Sequence, residues 1–356
     1  MSFSFGDKIR ITIFGQSHSE QMGVVIDGFP AGFEIDEKKL ADFMARRAPG
    51  NDEFSTPRKE GDKVRFVSGL VNGTSCGAPI CAVIENTNTL SKDYENLRDI
   101  PRPGHADFAA WAKFGTNRDV AGGGQFSGRL TAAMCIAGGI CIQLLEKKGV
   151  YIGAHIASVG NIKDTPFDSV NVTKDDFVGH KDFPVIDDEC GELMKEEIRS
   201  AKKEIDSIGG TVECAICGLP AGCGDTLFGG WESAISSAVF AIPAVKGIEF
   251  GAGFESARLC GSENNDEFTI APDGVIRTVT NNHGGILGGI SSGMPIIFRA
   301  AFKPTPSIGK EQGSVSLSQN ENTTLTINGR HDPCIVKRAV VCVEAAAALV
   351  AANMML

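Results

Sequence analysis

The 356-residue chain predicts an α+β fold, a β-α-β layered sandwich with helices packed between β-layers. Three observations point there. Residues 128–147, GRLTAAMCIAGGICIQLLEK, are helical in pattern and small or apolar on nearly every side. A surface helix keeps one polar face, so a helix apolar all round needs protein layers on more than one side. Short runs with strand-like alternation flank it throughout the chain. The two halves also share a strand–strand–helix rhythm with glycine-rich loops, which fits an internal duplication. No repeat of 20–50 residues is present, which excludes solenoids and propellers.

Taken in order, residues 8–14 (KIRITIF) and 23–28 (GVVIDG) read as strands around the loop Gly15-Gln16-Ser17-His18. Asp36 is placed to N-cap a helix that ends near Arg47, before Pro49-Gly50. Arg46 and Arg47 at its C-terminal end either complement the helix dipole or bind phosphate or carboxylate. Residues 64–70 and 79–85 are further strands.

Residues 101–131 hold the densest chemistry. A histidine, His105, follows a Pro-Gly corner, and the triple glycine 122–124 precedes the long helix. Glycines ahead of a helix expose N–H groups at the positive end of its dipole, which suits an anion. Histidine is the side chain most readily poised for proton transfer near neutral pH. Residues 151–159 return as a strand. The acidic stretch 161–208, with an amphipathic helix over 189–207, reads as a peripheral insertion within a single domain spanning 1–356.

Strands follow at 211–218, 246–250 and 274–280, with an apolar helix at 231–241. The second half then carries NHGGILGGISSGMP at 282–295, the strand IIFRAAF, KPTPS at 303–307, and GRHDPC at 329–334 before an alanine-rich helix. Asp332 stands directly before Pro333, a residue favoured at helix position N1, so the plain expectation for Asp332 is an N-cap.

Composition narrows the function. A net charge of −10 argues against nucleic acid and against an anionic membrane surface. The N-terminus lacks a signal-peptide apolar block, and the apolar tail 345–356 is too short to span a bilayer; the expectation is a cytoplasmic protein. Eleven cysteines suit reduced, buried thiols, and the one CxxC pair, Cys214 and Cys217, suits core packing. There is no Walker lysine, no GxGxxG spacing and no matched metal-ligand spacing, so a phosphotransferase, a Rossmann site and a metal centre are unsupported. Four of the six histidines, His18, His105, His283 and His331, lie in glycine-rich loops, which favours a site.

RPGHAD at 102–107, HGGILGGISSG at 283–293, KPTPS and GRHDPC together resemble the chorismate synthase family. So do GQSHS with VVIDGFPAG near the start, RRAPG at 46–50 and SIGG at 207–210. The resemblance spans the chain in order. It implies a sandwich with helices between β-layers, typically a homotetramer. The implied reaction is a 1,4-anti elimination of phosphate from 5-enolpyruvylshikimate 3-phosphate, giving chorismate with reduced FMN (FMNH2) as cofactor.

By that resemblance, His18 lies near the flavin and controls its protonation. His105 assists phosphate departure as an acid, and Asp332 is the base, acting through flavin N5. Arg47, Arg129 and Arg330 hold anionic groups. Gln125, Ser127, Ala244, Gly288, Lys303, Thr305, Ser307 and Arg330 line the FMN site. Nothing in the sequence says whether NADPH or an external reductant supplies the flavin electrons.

The chain departs from the family pattern at Ser19, Ala48, Glu53, Gln125 and Phe126, three of them positions where arginine is usual. Those losses motivate the alternative of a flavin- or anion-binding paralogue without the elimination activity.

Overall fold

The structure, a computed structural model, describes residues 3–49, 53–54, 61–86, 96–327 and 332–356. The first half contains β1 (Ser4–Phe5), β2 (Arg10–Phe14), β3 (Gln21–Asp27), α1 (Glu37–Arg47), β4 (Arg65–Ser68), β5 (Leu70–Val71), β6 (Thr74–Ser75) and β7 (Ile80–Glu85). It ends with α2 (Asp107–Phe114) and α3 (Thr131–Glu146). Asp36 caps α1 as expected, its Oδ1 accepting from Lys39 N at 2.9 Å.

The second half begins with β8 (Tyr151–Val159), β9 (Ile162–Lys163), α4 (Asp188–Lys203), β10 (Gly210–Cys217), α5 (Trp231–Phe240), β11 (Val245–Phe250) and α6 (Gly261–Asn264). The small hairpins β12 (Phe268–Ile270) with β13 (Ile276–Thr278), and β14 (Ile286–Leu287) with β15 (Ile290–Ser291), precede β16 (Ile296–Phe302). Hairpin β17 (Gln312–Ser316) with β18 (Glu321–Leu325) and helix α7 (Val336–Met355) complete it.

Among the described residues, two five-stranded antiparallel sheets form, in the orders β1-β2-β3-β7-β4 and β11-β16-β10-β8-β9. Helix α3 packs on β2, β3 and β7, α7 packs on β8 and β10, and the two helices pack on each other. The predicted sandwich is therefore the observed one, with helices between the sheets. Contact is close: a Cβ on Gly138 of α3 would stand 2.4 Å from the Ala345 Cβ of α7. Two helical stretches, Gly128–Glu146 and Val336–Met355, are long and apolar enough to cross a membrane, and both are mostly buried inside the protein.

The halves match element by element. Strands β2, β3, β4 and β7 with α1 and α3 correspond to β8, β10, β11 and β16 with α5 and α7. The sequence carries a trace of this that the reading by rhythm passed over. Gly28-Phe29-Pro30-Ala31-Gly32 follows β3, and Gly218-Leu219-Pro220-Ala221-Gly222 follows β10. Ser75 Oγ donates to Pro30 O at 2.6 Å and accepts from Phe33 N at 2.9 Å. Ser291 Oγ repeats this, donating to Pro220 O at 2.6 Å and accepting from Cys223 N at 3.0 Å. Buried hydroxyls need both roles satisfied, and each half solves the turn identically.

Residues 161–208 lie over the outer face of the second sheet. Phe167 and Val172 pack with Ala215, Cys217 and Ile297, and Asp164 and Glu213 flank the buried His155 ring at 2.9 and 3.1 Å. Helix α4 stops at Lys203, short of 207, where Ile205 takes a left-handed φ of 52°. The Cys214 and Cys217 thiols are free and buried, and burial pushes Cys217 up to about 12.

Candidate active site

Because the halves correspond, the connection from β7 to α3 is the counterpart of the one from β16 to α7. The two connections meet. Ser314 Oγ donates to Pro101 O at 2.5 Å, Ser316 Oγ to Asp99 Oδ2 at 2.7 Å, and Arg102 Nη1 to Ser307 Oγ at 3.2 Å. The RPGHAD and KPTPS motifs, some two hundred residues apart, share one cleft for this reason.

Within the cleft, Asp107 is nearly buried and accepts from His105 Nδ1 at 2.6 Å. Arg102 donates to the same carboxylate through its Nε (2.7 Å) and Nη2 (3.0 Å). Burial alone raises a carboxylate's pKa, but the hydrogen bonds from His105 and Arg102 outweigh it and hold Asp107 well below the usual range. With Nδ1 committed to Asp107, Nε2 is the other ring nitrogen, 3.3 Å from Arg102 Nη2 and beside Gly123.

The triple glycine lies between two histidines. A Cβ on Gly122 would stand 2.5 Å from Ser17 Oγ and 2.7 Å from His18 Nε2, and one on Gly123 would stand 3.2 Å from His105 Nε2. Gly122, Gly123 and Gly124 have φ of 59°, 83° and 53°, a left-handed run that side chains strain to adopt. The glycines precede the long helix as expected, but they do not adjoin it. A separate 3-10 turn, Gly128–Leu130, intervenes, capped by Ser127 Oγ, which accepts from Arg129 N at 3.3 Å. Their role is close approach of backbone to His18 and His105.

Arg47 and Arg129 converge on a carboxylate that sequence reasoning missed. Asp62 Oδ2 accepts from Arg47 Nη1 at 2.7 Å, and its Oδ1 accepts from Arg129 Nη1. All three are buried. Burial opposes the Asp62 charge, but the two guanidiniums prevail and its pKa is lowered. Arg47 Nε also donates to Thr131 Oγ1 at 3.2 Å, and Arg129 Nε to Asn86 Oδ1 at 3.2 Å. Arg46, by contrast, forms a two-pronged pair with buried Glu344.

Along the KPTPS segment, Thr305 Oγ1 donates to Asp332 O at 2.8 Å, and Lys303 N to Ala244 O at 3.0 Å. Burial and then nearby Lys246 lower the Lys303 pKa. The N-cap expectation for Asp332 is corrected: α7 begins at Val336 after Ile335, with no side-chain cap. Asp332 Oδ2 instead accepts from Arg338 Nη1 at 2.9 Å.

Gln125 is half-buried directly after the glycines. Gly288 stands elsewhere, on the β14–β15 hairpin at the Ile296 end of β16, whereas Lys303 follows Phe302 at the other end. Seven strand residues put roughly 20 Å between them. Arg330 and His331 lie outside the described residues. His283 is held by Asp266 and Ser292 and serves loop structure. No cluster able to hold a metal occurs among the described residues.

The chorismate synthase family model matches residues 9–356. The chain belongs to the chorismate synthase family. A chorismate synthase from Lancefieldella parvula is 46% identical, over 98% of this chain and 95% of that protein. One from Dehalococcoides mccartyi is 45% identical over 100% and 97%, and one from Methanosarcina barkeri 45% over 99% and 95%. A crystal structure of chorismate synthase superposes with a TM-score of 0.75 at 26% identity, covering 99% of this chain and 92% of that one.

Within this family two of the chain's departures have evident local roles. Ser19 Oγ accepts from Gln16 N at 2.9 Å and donates to Gln21 O at 2.7 Å, closing the His18 loop. Glu53 binds Arg199 of α4 at 2.7 Å, and its carbonyl accepts from Lys202, so an acidic residue serves where it faces cations. Nothing in the structure explains Phe126, which is partly exposed.

Proposed function

We propose that the cleft between His18, His105 and Asp332 converts 5-enolpyruvylshikimate 3-phosphate to chorismate and phosphate, with reduced FMN as cofactor. The chain is an enzyme of the chorismate synthase family, and full-length agreement with named relatives supports activity over a silent paralogue. The observation that carries the reading is the left-handed Gly122–Gly123 backbone held between the two histidines.

The residues fit a flat polar cofactor. Ser17 Oγ is buried beside Gly122 without a hydrogen-bond partner among the described residues, and an orphaned buried hydroxyl calls for a ligand or water. Gln125, Ser127, Ala244, Lys303, Thr305 and Ser307 would hold the flavin. When bound, reduced FMN supplies an electron-rich ring beside the substrate, with no net change of redox state.

This chain's residues do the rest. His105, oriented through Nδ1 by Asp107, presents Nε2 to protonate the departing phosphate. His18, across Gly122, keeps the cofactor in its required protonation state. Asp332, held by Arg338, is the base for the ring proton. Arg47 and Arg129, both bound to Asp62, place buried positive charge beside the anionic substrate, and Arg330 joins them in this reading.

A homotetramer completes it. Gly288, remote within one chain, reaches a flavin only across a subunit boundary. Exposed Leu227, Phe228, Phe254, Phe268, Ile270 and Ile276 supply apolar surface for such contacts. The enzyme works in the cytoplasm, taking flavin electrons from NADPH or an external reductant. The test is an anaerobic assay with dithionite-reduced FMN and substrate, following chorismate absorbance and phosphate release. Flavin binding without turnover would overturn the reading, and His105→Ala should abolish turnover while FMN still binds.

A further inference from the structure

The outer face of the second sheet carries a row of alternating charge. Antiparallel register sets His155 of β8 opposite Glu213 of β10, Glu213 opposite Arg299 of β16, and Arg299 opposite Glu249 of β11. Residues directly opposite in a sheet share a face, and these four bond along it. His155 Nε2 lies 3.1 Å from Glu213 Oε2. Arg299 Nη1 donates to Glu213 Oε1 at 3.2 Å, and its Nε to Glu249 Oε1 at 2.7 Å. Beyond β8 the row ends on Asp164, whose Oδ2 lies 2.9 Å from His155 Nδ1. His155, Asp164 and Glu213 are buried.

Both imidazole nitrogens thus face carboxylate oxygens. An ionised carboxylate only accepts, and a neutral imidazole has one N–H, so both bonds form together only in the doubly protonated ring. Further donors hold the two carboxylates ionised. Asp164 accepts from Ile186 N at 2.6 Å and Asp187 N at 2.9 Å, and Glu213 from Phe167 N at 2.8 Å as well as Arg299. Burial opposes charge on all three groups, yet these bonds prevail, raising the His155 pKa and lowering those of Asp164 and Glu213.

The same bonds fasten a length of chain. Asp164 with Phe167, and Ile186 with Asp187, stand at the two ends of residues 164–187, which cover this sheet face. Between them Phe167 and Val172 pack on Ala215, Cys217 and Ile297. Ile156 N donates to Pro184 O at 2.8 Å, and Asn281 Nδ2 to Ser169 O at 2.7 Å. Other ionisable groups approach from neighbouring elements: Lys163 of β9 is exposed, and Glu344 of α7 accepts from Ala154 N at 3.0 Å on the far side of β8. Cys190 of α4 is raised by desolvation and then by Asp187 and Asp164, so it stays a thiol near neutral pH.

We propose that His155 is a cationic clasp for the 164–187 cover, and that the cover is released when rising pH removes the second ring proton. A neutral ring would turn a lone pair toward one of the carboxylates, leaving Arg299 alone among Asp164, Glu213 and Glu249 in a largely dry site. Because the folded value is raised, the stabilisation is complete below the unfolded imidazole value of about 6.5 and is lost as pH rises through the folded one. None of this depends on the elimination reading.

Hydrogen exchange of the full chain, read by mass spectrometry at about pH 6.5 and about pH 8.5 and corrected for intrinsic amide rates, tests the clasp. Protection across 164–187 should fall about tenfold or more between the two conditions while α3 stays protected. His155→Gln cannot carry the charge, so its cover should exchange fast at both pH values without a step. Asp164→Asn needs no second ring charge and should also lose the step, which guards against misfolding of the first variant. Equal wild-type protection at the two pH values overturns the clasp. A step that persists in either folded variant overturns it too, since another group then titrates.

Discussion

Asp62→Asn is the sharpest perturbation available, because it removes one charge that two buried cations share. Arg47 and Arg129 are both within hydrogen-bond distance of the Asp62 carboxylate, and the side-chain exposures of the three are 2%, 4% and 0%. Removing one partner of a buried pair costs about 3–5 kcal/mol, mostly because the charge left behind is uncompensated. Two buried guanidiniums lose a shared carboxylate here, so the upper part of that range is expected. Against a total stability of roughly 5–15 kcal/mol, the loss is a large fraction.

Urea unfolding at pH 7, followed by circular dichroism, measures it. The pH dependence provides a second, independent signature. The folded Asp62 pKa is lowered, so its contribution is present above the unfolded value near 3.9. It is lost as pH falls through the lower folded value. The variant should lack that part of the acid limb. A stability change below about 1 kcal/mol with an unaltered acid limb would refute the account, showing that water already reaches the arginines.

Gly122→Ala places a Cβ 2.5 Å from Ser17 Oγ at φ 59°; turnover in the anaerobic assay should fall at least about tenfold, and a near-normal rate would show that the close approach to His18 is dispensable. Gly138→Val forces α3 off Ala345 and should cost about 1–3 kcal/mol by overpacking; an unchanged melting temperature contradicts the packing. Asp332→Asn should lower stability by no more than about 1 kcal/mol, the worth of a part-exposed pair with Arg338, while turnover falls by roughly a hundredfold or more. The reverse pattern, lost stability with retained turnover, restores the capping role.

Some of this was legible residue by residue. Asp36 capping α1 and the arginine end at Arg47 follow from local propensity, which acts over one helical turn. The all-round apolar pattern of α3 required layers on both sides, and the sandwich supplies them. Asp332 shows the limit of the same logic: an aspartate before proline invites a cap, yet α7 starts three residues after Pro333 and Asp332 turns to Arg338. The internal duplication was visible only as rhythm, although the GFPAG and GLPAG pentapeptides carried a stronger signal.

The sequence alone determined the layered α+β class, the main core strands and helices, and the family with its chemistry, because periodicity, caps and ordered motifs are properties of neighbours along the chain. The small hairpins β12–β13, β14–β15 and β17–β18 were not all legible there. Tertiary structure alone decided which charges are shared. Asp62 meets Arg47 across 15 positions and Arg129 across 67, and Arg102 meets Ser307 across 205. Burial, which sets the strength of those contacts, exists only once two equivalent half-domains have closed over α3 and α7.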